Sequence, residues 1–114
     1  MICLHSGRFV DPLNLRPEDV DVLDIAWALS HQCRYSGHVD HFYSVAQHSV
    51  LVSRLVGGSA QLQLDALLHD GSEAYLQDVA RPLKHDPYFG QAYRGAESRA
   101  QRVGYQVFGL PWPI

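Results

Sequence analysis

The sequence predicts an all-α domain, a bundle of four to five helices with a short β-hairpin at its N-terminus. Three observations carry that expectation. Apolar residues recur at helical spacing through most of the chain, strand-like pieces are confined to its start, and capping residues stand where helical stretches begin. With 46% hydrophobic and 18% charged residues over 114 positions, the chain can bury one modest core and is too short for two.

Taken in order, residues 1–14 contain two extended pieces, ICLH and RFV, joined at Ser6-Gly7, where glycine supplies the positive backbone angle of a tight turn. Pro17, Glu18 and Asp19 then lead into a helix whose inner face is read as Val22, Ile25, Ala26 and Leu29. Asp21 fits its N-cap, and Asp24 sits near the positive helix start. Segment 33–43, CRYSGHVDHFY, breaks the pattern and reads as a loop of the kind that often carries function.

Ser44-Val-Ala-Gln47 fits a capping box, followed by a helix whose stripe Val45, His48, Val52 and Leu55 ends at Gly57-Gly58 and points His48 inward. A third apolar helix is expected over 62–69. Asp70-Gly-Ser-Glu73 reads as the start of a fourth, limited by Pro82. The last helix is expected over 88–108, with Tyr93, Ala96, Val103 and Val107 inward and Gly95 and Gly104 weakening it.

Charge and composition narrow the function classes. A net charge of -3 argues against a nucleic-acid binder, which needs a basic face, and leaves a small anionic substrate open. No apolar run approaches a membrane span and no secretory leader opens the sequence, so no membrane partner and a cytoplasmic location are expected. Cys3 and Cys33 stand in no metal-ligand or redox spacing and are read as reduced thiols. Seven histidines exceed the about two or three that ordinary usage gives.

Three residues stand out because they interrupt apolar segments: His48, His69 and Asp70. Buried and unpaired, each would cost several kcal/mol, and one shared metal ion would satisfy all three. Imidazoles with a carboxylate suit a divalent transition metal such as Mn, Co, Ni or Zn, which acidifies bound water and offsets phosphate charge. A second account stays open at this point: His48 as a core histidine, with Asp70 and Glu73 as a D-x-x-E capping box.

AQHSVLV and LLHDGSEAYLQDVARPLK, flanked by CRYSGH and FGLP, resemble HD-domain phosphohydrolases, specifically the branch of 5'-deoxynucleotidases and phage deoxynucleoside triphosphate (dATP) hydrolases. The resemblance covers nearly all of residues 1–114. It implies an HD-domain helical bundle and a metal-dependent phosphohydrolase that acts on deoxynucleotides. By position it places the metal ligands on His48, His69 and Asp70, the catalytic acids on Glu73 and Asp78, and the phosphate grip on Arg34. It puts Tyr35 near the sugar and makes Lys84 a further phosphate contact. The plainer accounts are capping for Glu73, surface charge for Arg34 and Lys84, and core packing for Tyr35.

The branch also draws a fourth ligand, an aspartate, from a helix beyond the FGLP segment. Asp86 and Glu97 are the acids that follow Asp78 here, and neither stands in the matching place. The domain is therefore expected to be short at its C-terminal side, with a homo-oligomer covering an apolar face. The alternative function is a catalytically impaired nucleotide- or metal-binding HD module. A second metal at His38 and His41 is not expected, and His5, His31 and His85 are assigned to the surface.

Overall fold

Residues 1–113 are described by a computed structural model. The hairpin forms as expected: β1 (Ile2–Cys3) and β2 (Phe9–Val10) run antiparallel, with Ile2 opposite Val10 and Cys3 opposite Phe9. Gly7 turns it with φ +92°. The neighbouring Ser6 donates from its backbone N and its Oγ to the Asp24 carboxylate, at 3.0 and 2.8 Å. These two bonds fasten the hairpin to the first helix and explain why Asp24 is buried.

That helix, α1 (Val22–Ser30), starts where Asp21 accepts the backbone N–H of Leu23. Its inner face is narrower than the spacing suggests. Ile25 and Leu29 are buried, whereas Val22 and Ala26 face outward, because Asp24 takes up the space against the hairpin. Just before it, Asp19 lies almost wholly buried and accepts from the Arg16 backbone N, Nε and guanidinium NH2 at 3.0 to 3.2 Å.

Asp19 carries a pH dependence. Its hydrogen bond with the Arg16 side chain holds the carboxyl below the usual carboxylate range. A folded pKa below the unfolded one stabilises above the unfolded pKa of about 3.9, and the contribution fades as pH falls through the folded value. Asp19→Asn is therefore expected to lower the urea midpoint at about pH 6, and the gap from wild type should narrow at an acid pH below the folded value. A gap of equal size at both pH values would contradict this account.

The Ser44–Gln47 box closes reciprocally around α2 (Val45–Val56), Ser44 Oγ accepting from Gln47 N and Gln47 Oε1 from Ser44 N. Gly57, at φ +61°, ends the helix. Ser59 caps α3 (Ala60–Leu68), which packs along α2. The α2 stripe departs from expectation at Leu55, which is 76% exposed with Val56 and Leu62 nearby on the surface.

Two single-turn helices follow, α4 (Glu73–Leu76) and α5 (Arg81–Lys84), before the long α6 (Phe89–Val107). Here the reading of Pro82 needs correction. The fourth helix stops at Gln77, whose φ of +78° leaves helical space, and Pro82 sits in the first turn of α5, where its missing N–H costs nothing. The described residues thus hold four helices of nine or more residues plus two single turns.

From α6, Ala100 and Val103 enter the main core with Val10, Ile25 and Val45; Ala96 is buried as well, while Val107 turns outward. Tyr105 forms a second cluster with Leu68 and Leu110, its ring meeting Trp112 edge-on. Both cysteines are free thiols, and among the described residues no helix is long and apolar enough to cross a membrane.

Candidate functional site

Two separate segments deliver the three candidate ligands. His48 lies in the first turn of α2, held there by the Ser44 cap, while His69 and Asp70 occupy the turn that leaves α3. Their chemical ends meet. The Asp70 carboxylate stands 3.2 Å from His69 Nε2 and 3.9 Å from His48 Nε2. All three are partly buried, so His48 faces a cleft instead of the core interior.

The capping account of Asp70 does not survive. Ser72, not Asp70, occupies the N-cap of α4, and it makes no side-chain capping bond. Asp70 is left with its carboxylate turned to the two imidazoles. Glu73, at the start of α4, is only 4% exposed. Burial first, then the carboxylates of Asp70 and Asp78, push its pKa up to about 8.

The two imidazoles differ in their other nitrogen. His69 Nδ1 lies 2.8 Å from the Ala66 carbonyl, an acceptor, so its hydrogen resides on Nδ1 and Nε2 offers a lone pair. His48 Nδ1 lies 2.8 Å from Arg34 NH1, a group that can only donate. His48 therefore accepts at Nδ1 and carries its hydrogen on Nε2. Burial first, and then the Arg34 charge, lower the His48 pKa.

His69 and Asp70 are donors of the type a divalent cation takes, whereas the His48 ring is engaged by Arg34. Consistent with that, no group of three or more His, Cys, Asp or Glu side chains among the described residues is assembled tightly enough to hold a metal ion in this arrangement. His38 and His41 are both exposed in the loop.

Around these residues opens a cleft of about 990 Å³, bordered by Arg34, Tyr35, His48, His69, Asp70, Glu73, Asp78 and Lys84. Every site residue singled out in the sequence thus lines one concavity, of a size that takes a small ligand. Tyr35 is 62% exposed, which removes the core-packing account, and the Arg34 guanidinium lies over its ring at 4.8 Å. The 3-10 turn Arg34–Gly37 holds Tyr35 and Ser36 at φ +57° and +53°, a strained backbone of the sort found at functional sites.

Lys84 is less free than a phosphate contact requires. Its Nζ is bound to Glu97 Oε2 at 3.1 Å and lies over the Tyr93 ring. Burial works against its charge, but the Glu97 hydrogen bond and the carboxylates of Glu97, Glu73 and Asp70 outweigh it and raise its pKa.

Gly90 sets the position of Lys84. A Cβ there would collide with the Lys84 carbonyl, which also accepts from Arg94. Gly90→Ala is expected to cost about 1–3 kcal/mol by overpacking, read as a lower urea midpoint. Unchanged stability would show that the α5–α6 contact is not as close as described.

Several contributors are invisible to local spacing. Gln32 Nε2 donates to the Glu73 carbonyl at 2.9 Å, and Gln101 Nε2 to the His69 carbonyl at 2.8 Å, so two glutamines remote in sequence fix the backbone of the site. Arg81, His85, Arg94 and Glu97 complete the cleft rim. Of these, Arg81 lies inside the matched LLHDGSEAYLQDVARPLK segment and His85 directly follows it, so those two had a signal nearby.

Comparison with known proteins gives relatives without an assigned activity. The chain is 42% identical over 106 residues to "Uncharacterized protein YfdR" of Escherichia coli K12, covering 93% of this chain and 57% of that protein. It is 37% identical over 113 residues to "Uncharacterized protein RCAP_rcc00048" of Rhodobacter capsulatus, with the same two shares. The chain thus spans little more than half the length of the curated relatives it matches. No family model matches it.

Proposed function

We propose that this protein is a metal-dependent phosphohydrolase of the HD type acting on nucleotides, with deoxynucleotides preferred. One observation carries the reading: His48 Nε2 and His69 Nε2 face the Asp70 carboxylate at 3.9 and 3.2 Å on the wall of a cleft large enough for a nucleotide. The H-then-HD pattern and its flanking segments support it. His48, His69 and Asp70 would hold a divalent ion, which would offset phosphate charge and acidify bound water.

The chain's own residues do the rest. Arg34 presents a planar guanidinium suited to two phosphate oxygens at once. Tyr35 offers an exposed ring beside it for the sugar or base. Glu73 Oε and Asp78 Oδ line the same wall and are the groups that take up or return a proton during attack and departure. Gln32 and Gln101 keep the backbone under Glu73 and His69 from shifting. Lys84, paired with Glu97, orients that carboxylate instead of gripping phosphate.

The test is release of phosphate, pyrophosphate or triphosphate from deoxy- and ribonucleoside mono- and triphosphates, with Mn, Co, Ni, Zn or Mg and with His69→Ala as control. Metal-dependent release that the control lacks is the expected result; no release from any substrate with any metal overturns it. One observation favours a second reading, a binding module without turnover: Arg34 occupies His48, so the three donors are not yet assembled. Nucleotide-induced thermal stabilisation without hydrolysis would establish that reading.

A further inference from the structure

Arg34 and a metal ion cannot both use His48 as it stands. The guanidinium has donors only, so the 2.8 Å contact between Arg34 NH1 and His48 Nδ1 requires a lone pair on Nδ1. The neutral ring then carries its hydrogen on Nε2, the nitrogen that faces Asp70. To offer Nε2 to a cation, the ring must move that hydrogen to Nδ1, where it would point directly at the Arg34 N–H. Donor would meet donor, and the contact would break. His69 has no such conflict, because its Nδ1 faces a carbonyl that only accepts.

We propose that Arg34 is an exchangeable occupant of His48: a divalent cation displaces its guanidinium, which swings into the cleft as the phosphate-binding group, so that metal binds before substrate. This rests on the reading of His48 as a metal ligand. The local structure is suited to the exchange. The Arg34 backbone is pinned, its N–H donating to the Tyr43 carbonyl at 2.8 Å, while the guanidinium already leans on the exposed Tyr35 ring at the cleft edge. Before the exchange, the cleft presents the carboxylates of Asp70 and Asp78 to an incoming anion. After it, both the cation and the freed guanidinium face that anion, which gives the two sites a shared coupling.

The test uses wild-type protein, zinc alone and imidazole nitrogen NMR. Metal-free protein is expected to show His48 with its hydrogen on Nε2, and zinc should move it to Nδ1 while shifting the Arg34 guanidinium resonances. A hydrogen already on Nδ1 without metal overturns the proposal, as does zinc uptake that leaves the Arg34 resonances in place. Zinc affinity gives a second reading. Arg34→Met removes the competitor, and Arg81→Met removes an equal charge from the same cleft without touching His48. Arg34→Met should bind zinc about tenfold more tightly than Arg81→Met, inside the range usual for coupled sites. Equal affinities overturn the exchange and leave the phosphohydrolase reading standing. No zinc uptake by wild type overturns the exchange, and no uptake of manganese, cobalt or nickel either overturns both.

Discussion

Asp70→Ala is expected to abolish metal uptake and to lower nucleotide hydrolysis by more than about a thousandfold, beyond the hundred- to thousandfold loss typical of a single transition-state donor. The size follows from where Asp70 sits. Its carboxylate is the one negative group placed between both imidazoles, at 3.2 and 3.9 Å, so without it two neutral nitrogens remain to hold a doubly charged ion. The loss should not come from unfolding. Asp70 is partly exposed and caps no helix, and its negative charge disfavours ionisation of the neighbouring Glu73. Thermal unfolding separates the two causes. Metal-free Asp70→Ala should melt no lower than metal-free wild type, while the stabilisation that metal gives wild type, about 2.7 kcal/mol at a hundred times the dissociation constant, should vanish. A variant that melts lower without metal but still gains from it would contradict this assignment.

Tyr105→Ala is expected to destabilise the fold by about 3–5 kcal/mol, the usual range for removing a large buried aromatic ring. Tyr105 is 1% exposed, meets Trp112 edge-on at 5.8 Å and donates its hydroxyl to the Asp65 carbonyl at 2.9 Å. It ties α6 to α3, the helix that ends at His69. Burial pushes its phenol pKa up to about 12, in keeping with a hydroxyl that stays a donor. Tyr105→Phe keeps the ring and loses that bond, at a cost of about 1 kcal/mol. Urea unfolding of both variants measures the difference. Equal losses would mean that the hydroxyl, and not ring packing, dominates; a Tyr105→Ala loss below about 1 kcal/mol would mean the second core cluster bears little on stability.

What the sequence made legible was local. The Ser44–Gln47 box, the Asp21 cap, the Gly7 turn and the Gly57 stop each depend on residues within a few positions of one another, and each stands where spacing put it. The breakdowns share a different origin. Helical periodicity points Val22 and Ala26 inward because it knows nothing of the hairpin, and the Ser6–Asp24 bonds that fasten α1 to it join residues eighteen apart. Pro82 was read as a stop because a proline inside a pattern and a proline opening a new helix look alike until Gln77 is seen to leave helical space.

The candidate site follows the same division. Its residues were legible as types: His48, His69, Asp70, Glu73, Asp78, Arg34, Tyr35 and Lys84 all line the one cleft. Their partnerships were not. Arg34 engages His48, Lys84 engages Glu97, and Gln32 and Gln101 hold the backbone from the far side, all through contacts between residues too far apart for spacing to pair them. Those partnerships leave the two imidazoles unlike: His69 Nδ1 is bonded to a carbonyl and His48 Nδ1 to a guanidinium.

The convergence of His48, His69 and Asp70 on a single cation is tested most directly by anomalous scattering from crystals grown with manganese or zinc. One peak within about 2.0–2.3 Å of His48 Nε2, His69 Nε2 and an Asp70 oxygen is the predicted result. A peak elsewhere, or none at saturating metal, would contradict it.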